Sequence, residues 1–82
     1  MAVYFLHVRD GLEVTRDQDG STLGDLQAAR KLAIESARQM MSEAVYHGNC
    51  IGLERTFEIE DDMGKLLLSV PFRDAIVFNE AE

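Results

Sequence analysis

A helical stripe of small apolar residues is the feature that most limits what this chain can fold into. Between residues 24 and 47, apolar residues recur at steps of three and four, which is the spacing of one helix face: Leu26, Ala29, Ala33, Ala37, Met40 and Ala44. Asp25 stands where a side chain caps the first turn, and Gly48 stands where a left-handed residue commonly ends a helix. Because alanine is small, the pattern predicts one long helix lying close against a sheet.

The residues before this helix have the pattern of a β-hairpin. Residues 3–8 are β-branched and aromatic, and the run stops at Asp10-Gly11. Asp-Gly after such a run predicts a tight type I′ turn, in which both central residues have positive φ. Residues 12–15 alternate and form the predicted returning strand.

A second hairpin is predicted after the helix. Residues 55–60 alternate between apolar and polar, and residues 66–70 return after a loop in which Gly64 takes the left-handed position. The chain of 82 residues has room for one domain. We therefore predict a single α+β domain over residues 1–82: β-hairpin, long helix, β-hairpin. This gives a four-stranded antiparallel sheet with one helix packed on one face.

The first strand carries apolar side chains on both faces, as does the strand at residues 66–68. A strand of this kind is usually covered on both faces, and a single helix covers only one face of the sheet. We therefore expect the second face to meet residues 75–78, a second copy of the chain, or both, which predicts a homodimer with a symmetric interface. The predicted interaction surface consists of Tyr4, Leu6, Leu67, Ile76 and Phe78.

The charge balance is acidic, with eight Lys and Arg against fifteen Asp and Glu and a net charge of −7. The basic residues are dispersed, so binding to DNA or RNA, which needs a basic patch, is not expected. A basic protein partner is compatible with this surface. No stretch approaches the roughly 18 apolar residues of a membrane span. The single cysteine, Cys50, cannot form an intramolecular disulfide, and the N-terminus lacks the pattern of a signal peptide. The predicted location is cytoplasmic.

Candidate catalytic and metal-binding residues are few. His7 and His47 are the only histidines, and neither has the spacing of a metal site with Cys50 or with each other. No nucleophile elbow, phosphate loop or dinucleotide fingerprint occurs. We therefore predict no catalytic, cofactor-binding or metal-binding residues and no enzymatic activity. A small-molecule binder or enzyme with a pocket between helix and sheet remains an alternative.

Two structural ion pairs are suggested by charged residues near predicted element ends. Arg30 lies at the edge of the apolar helix stripe. Its stem either covers the core while its head reaches water, or its guanidinium pairs with Asp17 or Asp74. Arg73 and Asp74 follow Pro71, which is expected to end the last strand because it lacks a backbone donor. They are predicted to pair with each other or across elements.

Several motifs resemble a family of small bacterial proteins, common in soil-dwelling proteobacteria, that is classed as a domain of unknown function. They are Tyr4-Phe5-Leu6-His7-Val8-Arg9-Asp10-Gly11, Asp17-x-x-Gly20, Asp25-Leu26-x-Ala28-Ala29-Arg30 and Val70-Pro71-Phe72-Arg73-Asp74-Ala75. The resemblance covers nearly the whole chain. It implies a one-domain protein, and it supplies no activity, cofactor or catalytic residue.

A weaker likeness is to the antitoxin-type domain of the HicB group. Residues 20–23 lead into the helix start as in that domain, in which a hairpin precedes an alanine-rich helix. This likeness implies a non-catalytic module that binds a protein partner. The expected function is thus a small cytosolic protein-interaction or regulatory domain, with an antitoxin-like partner of a basic protein as an alternative.

Overall fold

The computed structural model describes residues 1–76 and has an α+β architecture. Its elements in chain order are β1 (Ala2–Asp10), β2 (Glu13–Thr15), β3 (Ser21–Leu23), α1 (Leu26–Tyr46), β4 (Thr56–Glu60), β5 (Leu66–Pro71) and a short 3₁₀ helix (Phe72–Ala75). The strands form one antiparallel sheet in the order β2–β1–β4–β5, and β3 pairs with the other end of β1. The predicted fold class is confirmed, with five strands where the sequence predicted four.

Helix α1 begins and ends where the sequence predicts. The Asp25 carboxylate accepts a hydrogen bond from the Ala28 N–H at 2.9 Å, and Gly48 has a φ of +75° just beyond the helix. The face toward the sheet is the alanine stripe, where Ala29, Ala33 and Ala37 are fully buried. Their lack of bulk allows the helix backbone to approach the strands.

The core lies between α1 and one face of the sheet. Alternation along the strands places paired apolar side chains on this face: Leu6 opposite Ile59, Val8 opposite Phe57, Phe57 opposite Val70, and Ile59 opposite Leu68. Phe72 of the 3₁₀ helix closes the core and stacks on Phe57 with ring centroids 5.1 Å apart. Burying a phenylalanine side chain stabilises a fold by roughly 1.5–3 kcal/mol. The prediction that Pro71 ends a strand is confirmed.

The turn of the first hairpin lies one residue later than predicted. Asp10 pairs with Glu13, so the two loop residues are Gly11 and Leu12. Gly11 has a φ of +66° at the first central position, where type II′ turns place glycine. In this arrangement Asp10 remains in the strand, whereas the predicted type I′ turn would require it to have a positive φ. In the second hairpin the loop prediction is confirmed, since Gly64 has a φ of +84° and the Asp61 N–H donates to the Lys65 carbonyl at 3.0 Å.

The second face of the sheet is partly covered by residues 16–20, which join β2 to β3. Thr15 pairs with Val8 and Ser21 pairs with Tyr4, so five residues of this segment face only three of β1. The segment is therefore longer than the stretch of β1 that it faces, and it folds over the odd-numbered side chains of β1. A Cβ on Gly20 would lie 2.9 Å from the Phe5 ring, which shows how closely the segment packs. We name residues 16–20 the covering loop.

This geometry corrects the predicted covering of the second face and the predicted interaction surface. Ala75 is buried in the core on the helix side, while residues 77 and 78 lie outside the described residues. Tyr4 is also a core residue, because even-numbered residues of β1 point toward α1. Leu6, Leu67 and Ile76 are half-buried and pack against the same core, and Phe78 is not among the described residues.

Candidate functional site

The main polar cluster forms around His7 on the second face of the sheet. His7 is only 3% exposed, because the covering loop lies over it. Its Nδ1 accepts a hydrogen bond from the Asp17 N–H at 3.0 Å, and its Nε2 lies 3.2 Å from Oε1 of Glu60 on β4. With Nδ1 accepting, the neutral ring carries its proton on Nε2 and donates it to Glu60. We call His7, Arg16, Asp17 and Glu60 the His7 cluster.

The hydrogen bonds of His7 favour a structural role over a catalytic one. A general base needs a nitrogen within reach of a substrate proton, and both ring nitrogens of His7 are occupied by protein partners. Arg16 lies beside the ring, with its Nη2 3.5 Å from Nε2 of His7 and 3.7 Å from Oε1 of Glu60. A small cavity of about 220 Å³ adjoins these side chains, but no Ser, Thr or Cys lines it. The side chains lining this cavity therefore supply no hydroxyl or thiol nucleophile.

Asp17 holds the covering loop to β1. Its carboxylate accepts backbone hydrogen bonds from Leu6 at 3.2 Å, Asp19 at 3.2 Å and Gly20 at 3.1 Å. Partial burial raises the pKa of Asp17, but these three N–H groups and the nearby His7 together lower it by more, so its pKa lies below the ordinary value. The carboxylate takes the place of a strand carbonyl where the loop interrupts the ladder.

A second ion pair continues the polar row along the same sheet face. Nε of Arg9 donates to Oε2 of Glu58 at 2.6 Å, and this bond raises the pKa of Arg9. On this face, His7 and Arg9 of β1 are thus paired with Glu60 and Glu58 of β4. On the helix side of the sheet, Nε of Arg55 lies 3.3 Å from Oδ2 of Asp10.

The charged residues singled out from the sequence lie elsewhere. The ion pairs found within 4.0 Å among residues 1–76 join His7, Arg9, Arg16 and Arg55 to acidic groups, and none involves Arg30, Arg73 or Asp74. Asp17 binds backbone N–H groups instead of Arg30, because the covering loop lies on the opposite face of the sheet from α1. Arg73 and Asp74 are exposed in the 3₁₀ helix. No pair of Arg30 with Asp17 or Asp74, and none of Arg73 with Asp74, is therefore formed within 4.0 Å among residues 1–76.

The remaining candidate residues lie beyond the end of α1, where His47 and Cys50 line one cavity together with Glu43. Cys50 is exposed and free, and His47 follows the helix end with its ring edge-on to Tyr46. In the described part of the chain, no group of three or more His, Cys, Asp and Glu side chains is placed to hold a metal ion. Over the same residues, no helix has the length and apolar character needed to cross a lipid bilayer.

The open edge of β5 is the main accessible backbone surface. Within residues 1–76, β5 pairs only with β4. The Phe72 N–H donates to the Arg55 carbonyl at 2.9 Å, and hydrogen-bonded pairs alternate along an antiparallel ladder. The bonds therefore fall on Val70 and Leu68, and Ser69 directs its N–H and C=O away from β4. Pro71 occupies the next outward position, where its missing N–H costs no bond to β4.

Sequence reasoning missed the His7 cluster and the covering loop. One sequence pattern points toward this cluster: Glu58 and Glu60 alternate with core residues along β4. Once the strand register is known, this alternation places both glutamates beside odd-numbered residues of β1. The alternation does not give the register itself. Asp17-x-x-Gly20 has residue types typical of a turn, and only the pairing of β3 with β1 shows that this segment covers a sheet face.

The comparisons with known proteins support the expectation of a domain of unknown function. The model of a family described as a domain of unknown function (DUF6894) matches residues 3–73. No curated protein and no solved structure matches the chain. The match spans the sheet, helix α1 and the start of the 3₁₀ helix, so the chain belongs to the DUF6894 family.

Proposed function

We propose that this chain is a non-enzymatic protein-interaction module of the bacterial cytosol that forms a homodimer by pairing β5 with β5 of a second copy. The observation that carries the proposal is the difference between the two edges of the sheet. At one edge, β2 and β3 are three residues each and are separated by the covering loop. At the other edge, β5 is six residues long and has no charged side chain.

Natural sheets protect their edges against pairing with short strands, charges, bulges and prolines. The β2–β3 edge has such protection along its length. The β5 edge has a register shift beside Leu66 and a proline at its end, and the residues between them are open. An uncharged edge of this kind favours strand addition, because backbone hydrogen bonds form without bringing like charges together.

An antiparallel pair of β5 strands has the symmetry of a closed dimer. If the two-fold axis passes near Ser69, the N–H and C=O of this residue bond to the same residue of the second copy. The two sheets then form one continuous sheet with both copies of α1 on the same side. Leu66, which is half-exposed, lies in the strand that this pairing would cover.

A proline substitution tests the proposed interface. Ser69→Pro removes the outward N–H without removing a bond to β4, while Ser69→Ala keeps it and serves as the matched control. Light scattering at micromolar concentrations should give about twice 9.2 kDa for the unmodified chain and for Ser69→Ala, and 9.2 kDa for Ser69→Pro. A mass of 9.2 kDa for the unmodified chain contradicts self-association. A dimer that survives Ser69→Pro contradicts pairing through β5.

A basic protein partner is the second candidate, by analogy with antitoxin domains. It is supported by the net charge of −7 and by exposed carboxylates such as Glu13, Asp19 and Asp62. Affinity capture from native cells should recover a protein of high isoelectric point, and the purified protein should bind less tightly as salt is raised. A purified candidate whose binding is insensitive to salt contradicts this function.

A further inference from the structure

A shallow groove runs along α1 and reaches Leu68 of β5 near the start of the helix. The groove has two adjoining parts with volumes of about 400 Å³ and about 340 Å³, and both are lined by Gln27 and Arg30. Apolar side chains from Leu26, Ile34 and Leu68 contribute to its walls. We name it the α1 groove.

The α1 groove is basic although the chain is acidic. Arg30, Lys31 and Arg38 line it with a single carboxylate, that of Glu35. These three cations belong to no ion pair found within residues 1–76, whereas Arg9, Arg16 and Arg55 each lie within 4.0 Å of an acidic group. Arg38 is also held in place, because its Nε donates to the Ala75 carbonyl at 2.8 Å. This bond leaves its two terminal nitrogens available for an anionic partner.

We propose that the α1 groove binds an extended acidic segment of another protein, with carboxylates at positions i and i+4 and an apolar residue at i+2. Arg30 and Arg38 are eight residues apart on α1, which separates them by about 12 Å along the helix axis. Four residues of extended chain span about 13 Å, and residues i, i+2 and i+4 share one face. Carboxylates at the two ends then meet Arg30 and Arg38, and the middle side chain meets Ile34.

The composition of the groove favours a peptide over a nucleic acid. Three cations beside an apolar wall match a segment with two carboxylates, while a long polyanion is repelled by the remaining surface of a chain with a net charge of −7. The proposal goes beyond self-association through β5 and does not depend on it.

The test uses the peptide Glu-Ser-Leu-Ser-Glu, capped at both ends and carrying a fluorescent label, with anisotropy as the measurement. The whole chain should bind it, and Arg30→Glu should weaken binding by roughly threefold to tenfold, as expected for reversing one exposed charge contact. Lys65→Glu makes the same change in net charge on an exposed loop residue that does not line the groove, and it should leave binding unchanged. Circular dichroism checks that both variants are folded.

Further binding measurements distinguish an acidic peptide from other occupants of the groove. Replacing leucine by serine in the peptide should weaken binding, and a peptide with lysines in place of glutamates should not bind. Equal losses in Arg30→Glu and Lys65→Glu, or tighter binding of a single-stranded oligonucleotide than of the peptide, overturn the proposal. Binding that occurs only after removal of residues 77–82 also overturns it, because those residues would then be the occupant. Ser69→Pro should abolish the dimer and retain peptide binding, so failure of one proposal is distinguishable from failure of the other.

Discussion

Replacing Asp17 by alanine should release the covering loop and lower the stability of the whole domain. The carboxylate accepts three backbone hydrogen bonds, and the one from Leu6 is partly buried beside the core strand β1. Hydrogen bonds to charged groups contribute about 1.5–3 kcal/mol each when shielded from water and less near the surface. We expect the free energy of unfolding to fall by about 2–3 kcal/mol. For a domain of this size, that corresponds to roughly 10–20 °C in melting temperature.

The loss should depend on pH with a definite sign. The pKa of Asp17 lies below its ordinary value in the folded chain. A carboxyl with a depressed folded pKa stabilises the fold above its unfolded pKa of about 3.9, and this contribution disappears as pH falls through the folded pKa. The difference between the unmodified chain and Asp17→Ala should therefore be constant above about pH 5 and shrink below about pH 4.

Urea denaturation followed by circular dichroism, repeated between pH 2.5 and pH 7, measures both effects. Asp19→Ala is the matched control, because it removes the same charge from an exposed side chain of the same loop. Asp17→Asn keeps one acceptor oxygen and should lose about half as much stability as Asp17→Ala. Equal losses in Asp17→Ala and Asp19→Ala, or a difference that persists unchanged at pH 2.5, would refute the reasoning.

Three further substitutions test the packing of the fold. Phe72→Ala removes a fully buried ring and should cost about 3–5 kcal/mol in urea denaturation. Gly20→Ala should lower the melting temperature more than Gly64→Ala: both glycines have positive φ, but only at Gly20 would the new Cβ lie 2.9 Å from the side chains of Val3 and Phe5. Ala33→Leu should cost about 1–3 kcal/mol by forcing α1 away from the sheet, and Lys31→Leu on the exposed side should not. Equal melting temperatures within either pair would contradict the corresponding packing.

The long helix and the second hairpin could be predicted because their patterns are local. The alanine stripe has helical spacing, Asp25 caps the first turn, and Gly64 provides the left-handed residue of the loop. In the first hairpin, Asp10-Gly11 indicated the turn but not which residue pair lies at its centre. Both II′ and I′ turns accept glycine, and the register of the paired strands decides between them.

Local sequence patterns did not predict the third strand or the covering of the second sheet face. β3 has three residues, and it is a strand only because it pairs with the first residues of β1. The predicted dimer rested on β1 having apolar residues on both faces when one helix covers only one. In the structure Tyr4 and Leu6 pack in the core beneath α1, and Gly20 lies against Val3 and Phe5 on the other face. The case for a dimer therefore depends on the edge of β5.

The α+β class, the caps of α1 and the position of Pro71 follow from the sequence, because periodicity, capping and proline chemistry act over a few residues. The hydrogen bond between His7 and Glu60, which are 53 residues apart, follows only from the tertiary fold. The same is true of the backbone N–H groups that bind Asp17 and of the groove that Arg30 lines. These outcomes depend on strand register and on which face each element covers, and a shift of one residue in a strand exchanges its two faces.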